Sequence, residues 1–398
     1  MKALNYKYYL IIALSIITIA SCSKDDAPDE FIPEYLVASE QVVELSKDDI
    51  LAQVGGGNML PDEIEFLIRY GVKGLRLTYT TIDTQGNSVE VSGALLVPIG
   101  NFLKPLISFQ HGTITSDDLA PSNFGSDADI MAFMLASTGF VIAMPDYIGY
   151  GVSKHLPHPY EHRATLAYAT RDMIRAAREY FKLNNTDQLN SKLFMTGYSE
   201  GGTATMAAFQ LMQQDHSSEF DITAVTVGAG AYNKSEFMDW VVSRAEPLEY
   251  INSYVWVLDT YNSIYPQLQR PYTSYFNEPW ASIIEEQGVF AEVEANPSIL
   301  FTQEFIEGVT TGTDTDFLSA IADNNCYRWL PQSPMQLYHG TSDSYVPYFN
   351  SQSAYNAMVE LGANKVSLIP ITDGDHTTSI MEYAAGTFAY FFQYFMQQ

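Results

Sequence analysis

Gly74 to Thr81 alternates apolar and polar positions, Thr84 to Asn87 is rich in turn residues, and Val89 to Val97 alternates again. A period of two on both sides of such a turn predicts a β-hairpin. A short helix is predicted before it, over Ser46 to Val54. Beyond the hairpin, short continuous apolar runs trade places with longer amphipathic stretches. The runs are Leu106 to Phe109, Phe140 to Met144, Lys192 to Thr196, Ile222 to Val227, Met335 to Tyr338 and Val366 to Ile369. Helices are predicted over Ala128 to Leu135, Leu166 to Phe181, Thr203 to Met212, Gln352 to Leu361 and an aromatic stretch ending at Met396. Uniformly apolar strands alternating with helices predict an α/β fold, a mostly parallel sheet covered on both faces. Residues 232–333 break the rhythm: they are rich in Tyr, Trp, Phe and Pro, suggest helices over Glu249 to Leu258, Pro279 to Gln287 and Asp316 to Ala322, and contain no convincing buried strand. An insertion at the carboxyl edge of a strand faces the site, so this segment is expected to be a helical cap.

With 46% hydrophobic and 13% aromatic residues the chain is neither disordered nor fibrous. Its 20 Lys and Arg against 47 Asp and Glu give a net charge of −27, which argues against nucleic acid as a partner, because binding it needs a cationic surface. The first residues read as an address. Lys2 and Lys7 precede an apolar run from Tyr8 to Ala20, shorter than the roughly 20 residues a membrane span needs, as in a signal peptide. The closing Ile19-Ala20-Ser21-Cys22 resembles the lipobox of bacterial lipoproteins. That resemblance implies that Cys22 is lipidated and anchors the protein to a membrane of the bacterial envelope, the outer membrane or cell surface. The acidic, Pro-interrupted stretch after it is expected to be a disordered tether. With Cys22 lipidated, Cys326 has no partner and is expected to be a buried small hydrophobe. The chain thus divides into a leader over 1–21, lipidated Cys and tether over 22–40, a first core part over 41–231, the cap over 232–333 and a second core part over 334–398.

The strongest local signal is Thr196-Gly197-Tyr198-Ser199-Glu200-Gly201-Gly202, between an apolar strand and a helix. A Ser at such a strand-to-helix elbow sits in a strained conformation that only small neighbours allow, so the glycines two before and two after it have a steric reason to be there. A Ser hydroxyl needs a base to take its proton and an acid to orient that base. After the cap, His339-Gly340-Thr341-Ser342-Asp343 ends a strand and presents Asp343; after the next strand, Asp373-Gly374-Asp375-His376 presents His376. His376 is expected to be general base and then general acid, with Asp343 holding its imidazole. Asp373 and Asp375 are rival acids, but their closeness to His376 would require the chain to turn back on itself. Two backbone donors are expected to hold the oxyanion, each contributing on the order of 10² to 10³ in rate. These are the amides of Glu200, after the nucleophile, and Thr113, in the Gly loop after the first parallel strand. His111 beside it reads as a support for that loop.

Gln110-His111-Gly112-Thr113, Pro145-Asp146-Tyr147-Ile148-Gly149-Tyr150-Gly151, His158-Pro159-Tyr160, the Ser199 elbow and the Asp343 loop together resemble the α/β-hydrolase superfamily, especially its secretory-lipase-like esterases with a helical lid, over roughly residues 70–398. The resemblance implies a Ser-Asp-His triad, no metal, no cofactor, and hydrolysis of small-molecule esters or lipids through an acyl-enzyme. Glu200 departs from the pattern, standing where many lipases carry a small or amide residue. The alternatives are a serine peptidase of the same fold and an inactive lipid-anchored binding protein. An aromatic-rich cap favours an esterase or lipase; paired Glu285 and Glu286 in that cap would suit a peptidase that binds an amine, or simply form a solvated helix face. His155, His158 and His162 share one stretch, but Pro157 and Pro159 make it an irregular loop without metal-ligand spacing. Asp314 with Asp316, and Asp117 with Asp118, read as helix caps and solvated turns rather than calcium ligands.

Overall fold

The computed structural model describes residues 31–55, 66–125, 127–184, 186 and 188–396; the leader, Cys22 and the first part of the tether lie outside them. Strands β2 (Val72–Ile82) and β3 (Ser88–Pro98) pair antiparallel from Val72 opposite Pro98 to Ile82 opposite Ser88. Their turn is held by the Asp83 carboxylate, which accepts from the amides of Gln85 and Asn87, both at 2.8 Å. This is the hairpin that the alternation predicts. A further strand, β1 (Leu36–Leu45), pairs antiparallel with β2, so the tether boundary drawn at residue 40 falls inside the sheet and is corrected. Nearly all of β1 is exposed, so its side chains carry no buried-face pattern that would mark it as a strand.

The remaining strands are β4 (Lys104–Gln110), β5 (Val141–Pro145), β6 (Leu189–Tyr198), β7 (Ile222–Gly228), β8 (Met335–Gly340) and β9 (Val366–Ile371). The order across the sheet is β1-β2-β3-β5-β4-β6-β7-β8-β9, and every pairing from β5 to β9 is parallel. Helices α1 (Lys47–Gly55), α2 (Asp127–Ser137), α3 (Arg163–Leu183) and α4 (Glu200–Asp215) belong to the first part of this α/β core.

Between β7 and β8 the described chain forms α5 (Lys234–Val242), α6 (Ile251–Ile264), α7 (Trp280–Gln287), α8 (Pro297–Leu300), α9 (Gln303–Thr310) and α10 (Thr315–Asp323). They bury a hydrophobic cluster of their own, centred on Phe276, Phe301, Phe305 and Phe317. The core resumes with α11 (Phe349–Glu360) and α12 (Ile380–Phe395). Alternate residues of the central strands face opposite layers. Leu106, Val141, Leu193 and Val225 pack with Met173, Phe209 and Met358, on α3, α4 and α11. Ile107, Ile142, Phe194 and Ala224 pack with Phe133 and Phe391, on α2 and α12. Each such buried Val, Leu, Ile, Phe or Met side chain contributes about 1.5–3 kcal/mol, and coverage on both faces is why these strands read as continuous apolar runs. Among the described residues no helix is long and apolar enough to cross a membrane.

Candidate active site

Ser199 stands at the joint between β6 and α4 with φ 60° and ψ −124°, a backbone region that L residues rarely enter. The surrounding glycines have no room for a side chain. A Cβ on Gly197 would lie 2.2 Å from the Gly201 carbonyl oxygen, and one on Gly201 would lie 2.1 Å from that of Gln110. The Ser199 amide donates to the Gly228 carbonyl at 2.9 Å, which ties the elbow to the end of β7.

The sheet brings three separated loops to this point. His376, between β9 and α12, places Nε2 2.9 Å from Ser199 Oγ and Nδ1 2.7 Å from Asp343 Oδ2. A carboxylate only accepts, so Nδ1 carries the proton and Nε2 turns a lone pair to the serine hydroxyl. Asp375 accepts from the Thr377 and Thr378 amides at 2.9 and 2.7 Å and so forms the turn that presents His376, while Tyr198 OH donates to the His376 carbonyl at 2.8 Å. Asp373 lies exposed, its amide donating to Thr341 Oγ1 at 2.9 Å; the carboxylate on the imidazole is that of Asp343.

Asp343 is buried on the loop after β8. Its Oδ1 accepts from the amides of Tyr345 and Val346 at 3.0 and 2.9 Å, and His339 Nε2 approaches Oδ2 at 3.3 Å. Burial pushes its pKa up, but the bonds from His339 and His376 outweigh burial and hold it at about 2. His339, fully buried, is a residue to which sequence reasoning assigned no role. Its Nδ1 accepts from Ser351 Oγ at 2.7 Å, which leaves Nε2 to donate toward Val346 O and Asp343.

The Glu200 amide is the first N–H of α4, and Thr113 follows Gly112, where an added Cβ would sit 3.5 Å from Ser199 Cβ. Among the described residues neither amide donates to another protein group. Tyr160 OH bonds Thr113 Oγ1 at 2.9 Å and fixes that loop. His111 faces two carbonyl oxygens, Gly112 at 2.7 Å and Asp146 at 3.2 Å, and bonds neither Ser199 nor His376.

Glu200, almost wholly buried, meets His158 Nε2 at 2.8 Å, and His158 Nδ1 lies 2.7 Å from the Ile148 carbonyl. With acceptors on both sides of the ring, a proton must sit between Nε2 and the carboxylate in addition to the one on Nδ1. This pair accounts for the unusual residue after Ser199. The sequence shows its two members only as separate oddities, an acid beside the elbow and a histidine flanked by Pro157 and Pro159. His155 is exposed and His162 bonds Thr165 Oγ1 at 3.1 Å, so the three histidines do not converge. Among the described residues no group of three potential metal ligands forms. Asp314 caps α10 and pairs with Arg270, Asp117 accepts from the Gly151 amide at 2.6 Å, and Glu285 and Glu286 are exposed on α7. Cys326 is buried and, among the described residues, free of any disulfide, its thiol pushed up to about 12 by burial. Beside Ser199, where α5 and α6 meet the core, lies a cavity of about 50 Å³ with mostly apolar walls.

A family model described as secretory lipase matches residues 119–397. Lipase 9 of Candida albicans is 23% identical over 335 residues, which covers 75% of this chain and 68% of that protein. The crystal structure of a rice cell wall degrading esterase, LipA of Xanthomonas oryzae, superposes with a TM-score of 0.78 at 25% identity, covering 91% of this chain and 98% of that one. Candida antarctica lipase A has the same fold, with a TM-score of 0.61 at 18% identity over 90% of this chain and 83% of that one.

Proposed function

Since the chain belongs to the secretory lipase family and is an ester-hydrolysing enzyme of the α/β-hydrolase fold, we propose that Ser199, His376 and Asp343 carry its reaction through an acyl-enzyme. Ser199 Oγ attacks the ester carbonyl carbon while His376 Nε2 takes its proton. The carbonyl oxygen, now negative, is held by the amides of Glu200 and Thr113, helped by the positive end of α4. Collapse of this intermediate breaks the bond to the alcohol oxygen, which leaves with the proton from His376. Water then attacks the acyl-Ser199 carbonyl with His376 again as base, releasing the acid and restoring Ser199. Asp343 keeps Nδ1 protonated and stabilises the imidazolium at each stage. The observation that carries this reading is the unbroken chain from Ser199 Oγ to His376, 2.9 Å, and on to Asp343, 2.7 Å.

Hydrolysis of nitrophenyl acetate and butyrate by the purified protein tests it. Ser199→Ala is expected to lower kcat by on the order of 10⁶. Substantial activity in that variant would place the nucleophile elsewhere.

We also propose that the mature chain begins at a lipidated Cys22 and works at the bacterial envelope. The support is the charged, apolar, then small-residue order of residues 2–22. Several acyl chains there would hold the protein stably, since each buried methylene contributes about 0.8 kcal/mol. Cells fed labelled palmitate should yield labelled protein from the native sequence and none from Cys22→Ser. Equal labelling of both would overturn the anchor.

A further inference from the structure

We infer that this enzyme acts on esters of short acyl chains, about two to four carbons, and does so with its cap held in place; the inference rests on the roles proposed for Ser199 and His376. The cavity beside Ser199 is bounded by Ser199 but not by His376. The leaving alcohol must lie within reach of His376 Nε2, which delivers its proton, so the alcohol belongs on the histidine side. The cavity is therefore the acyl side.

Its volume, about 50 Å³, then limits the acyl group. An apolar protein cavity that takes up benzene, with six carbons, measures roughly 150 Å³. One third of that space holds about two carbons beyond the carbonyl at Ser199, an acyl group within the two- to four-carbon range, and disfavours a longer one. The blocking walls are Phe237, Met238 and Val241 on α5, Tyr254 and Val257 on α6, and Ile321 on α10. Most are buried members of the cap's own hydrophobic cluster. Phe237 lies edge-on to Tyr254 with ring centroids 5.5 Å apart, and Tyr254 OH donates to the Tyr345 carbonyl at 2.7 Å.

A cap that swung away would make this volume irrelevant, but polar ties fasten it to the core at buried positions. Lys234, the first residue of α5, pairs with Glu161 of the core, and both are buried. Lys234 Nζ also donates to Ala231 O at 3.0 Å, and Tyr261 OH on α6 donates to the Glu161 carbonyl at 3.0 Å. Trp256 on α6 stacks on Tyr160 at 4.2 Å with 10° between the rings, and Ser253 Oγ bonds Tyr345 OH at 2.5 Å. Lifting α5 and α6 would break this pair, the Tyr261 and Ser253 hydrogen bonds and the Trp256 stacking together, which disfavours opening. The same fastenings keep the pocket walls at their present spacing.

The test measures kcat/KM for nitrophenyl esters of two, four, six, eight and twelve carbons, each below its solubility limit, and the rate on tributyrin across that limit. The expected result is a maximum at two to four carbons, a fall of about tenfold or more by eight, and no jump in rate when droplets form. Met238→Ala should raise the ratio of eight-carbon to four-carbon activity. A maximum at eight carbons or beyond, or a jump at the interface, would overturn the inference. If Met238→Ala does not fold, nitrophenyl phosphonates bearing ethyl or octyl groups give a second reading on the native enzyme. Mass spectrometry should show faster labelling of Ser199 by the ethyl compound, and faster labelling by octyl would count against a short pocket. Label on a residue other than Ser199, or full activity in Ser199→Ala, would instead sink the triad itself, whatever the chain-length profile.

Discussion

Asp343 shows how one carboxylate is held ionised against a histidine. Two backbone amides hold one oxygen, and His376 and His339 hold the other. Its folded pKa, about 2, lies below the ordinary value of 3.8, so its contribution to stability is fully present above the unfolded value and is lost as pH falls through the folded one. That contribution is about 2 kcal/mol, and the window runs from about pH 4 down to about pH 2. Asp343 thus stays ionised above about pH 4. Asp343→Asn is expected to lower kcat by on the order of 10⁴ at neutral pH, because the imidazole loses its tautomer, and to flatten the loss of stability between pH 4 and 2. Circular dichroism along a pH series, beside ester kinetics, checks both halves. A variant within tenfold of the native rate would mean that another acid serves His376. The residues Ser199, Asp343 and His376 were legible in the chain, since each follows an apolar run and ends in a turn. The partners His339 and His158 were not: Glu200 lies 42 residues from His158, and nothing in the spacing of His339 and Asp343 shows that the loop folds back on itself.

At the scale of elements, the elbow depends on backbones that meet at Gly201. A Cβ there would lie 2.1 Å from the Gln110 carbonyl oxygen and 2.7 Å from that of His111, and neither is a flexible side chain that can step aside. Gly201→Ala is therefore expected to cost about 3 kcal/mol or more and to push the Thr113 loop away from Ser199, lowering kcat as well. Thermal unfolding reads the first effect; a melting point within about 2 °C of the native protein would show that the contact relaxes. The core strands and longer helices were legible because burial on one or both faces writes a period into the side chains. Strand β1 escaped because its residues are nearly all exposed, leaving only backbone pairing to β2 to define it. In the cap, α5, α8 and α9 were not predicted; α8, at four residues, is too short for a helical period to build up.

Over the whole molecule, the parallel sheet orders the chemistry. Ser199, Asp343 and His376 follow β6, β8 and β9, and strands running the same way bring their carboxyl ends to one edge. The helices between β7 and β8 fold around their own cluster and close one side of that edge. The net charge of −27 suits the proposal that attachment to an envelope membrane comes from a lipid on Cys22 rather than from the protein surface. Side-chain periodicity and steric need are local properties, so the amino-acid order alone carried the fold class, the elbow and the order of the three residues proposed to react. The pairs Glu200 with His158 and Glu161 with Lys234 lie 42 and 73 residues apart, and nothing near either member announces the other. Those buried pairs, the reach of β1 into the sheet and the size of the cavity came from the packed chain, because each depends on distances between segments that no local pattern encodes.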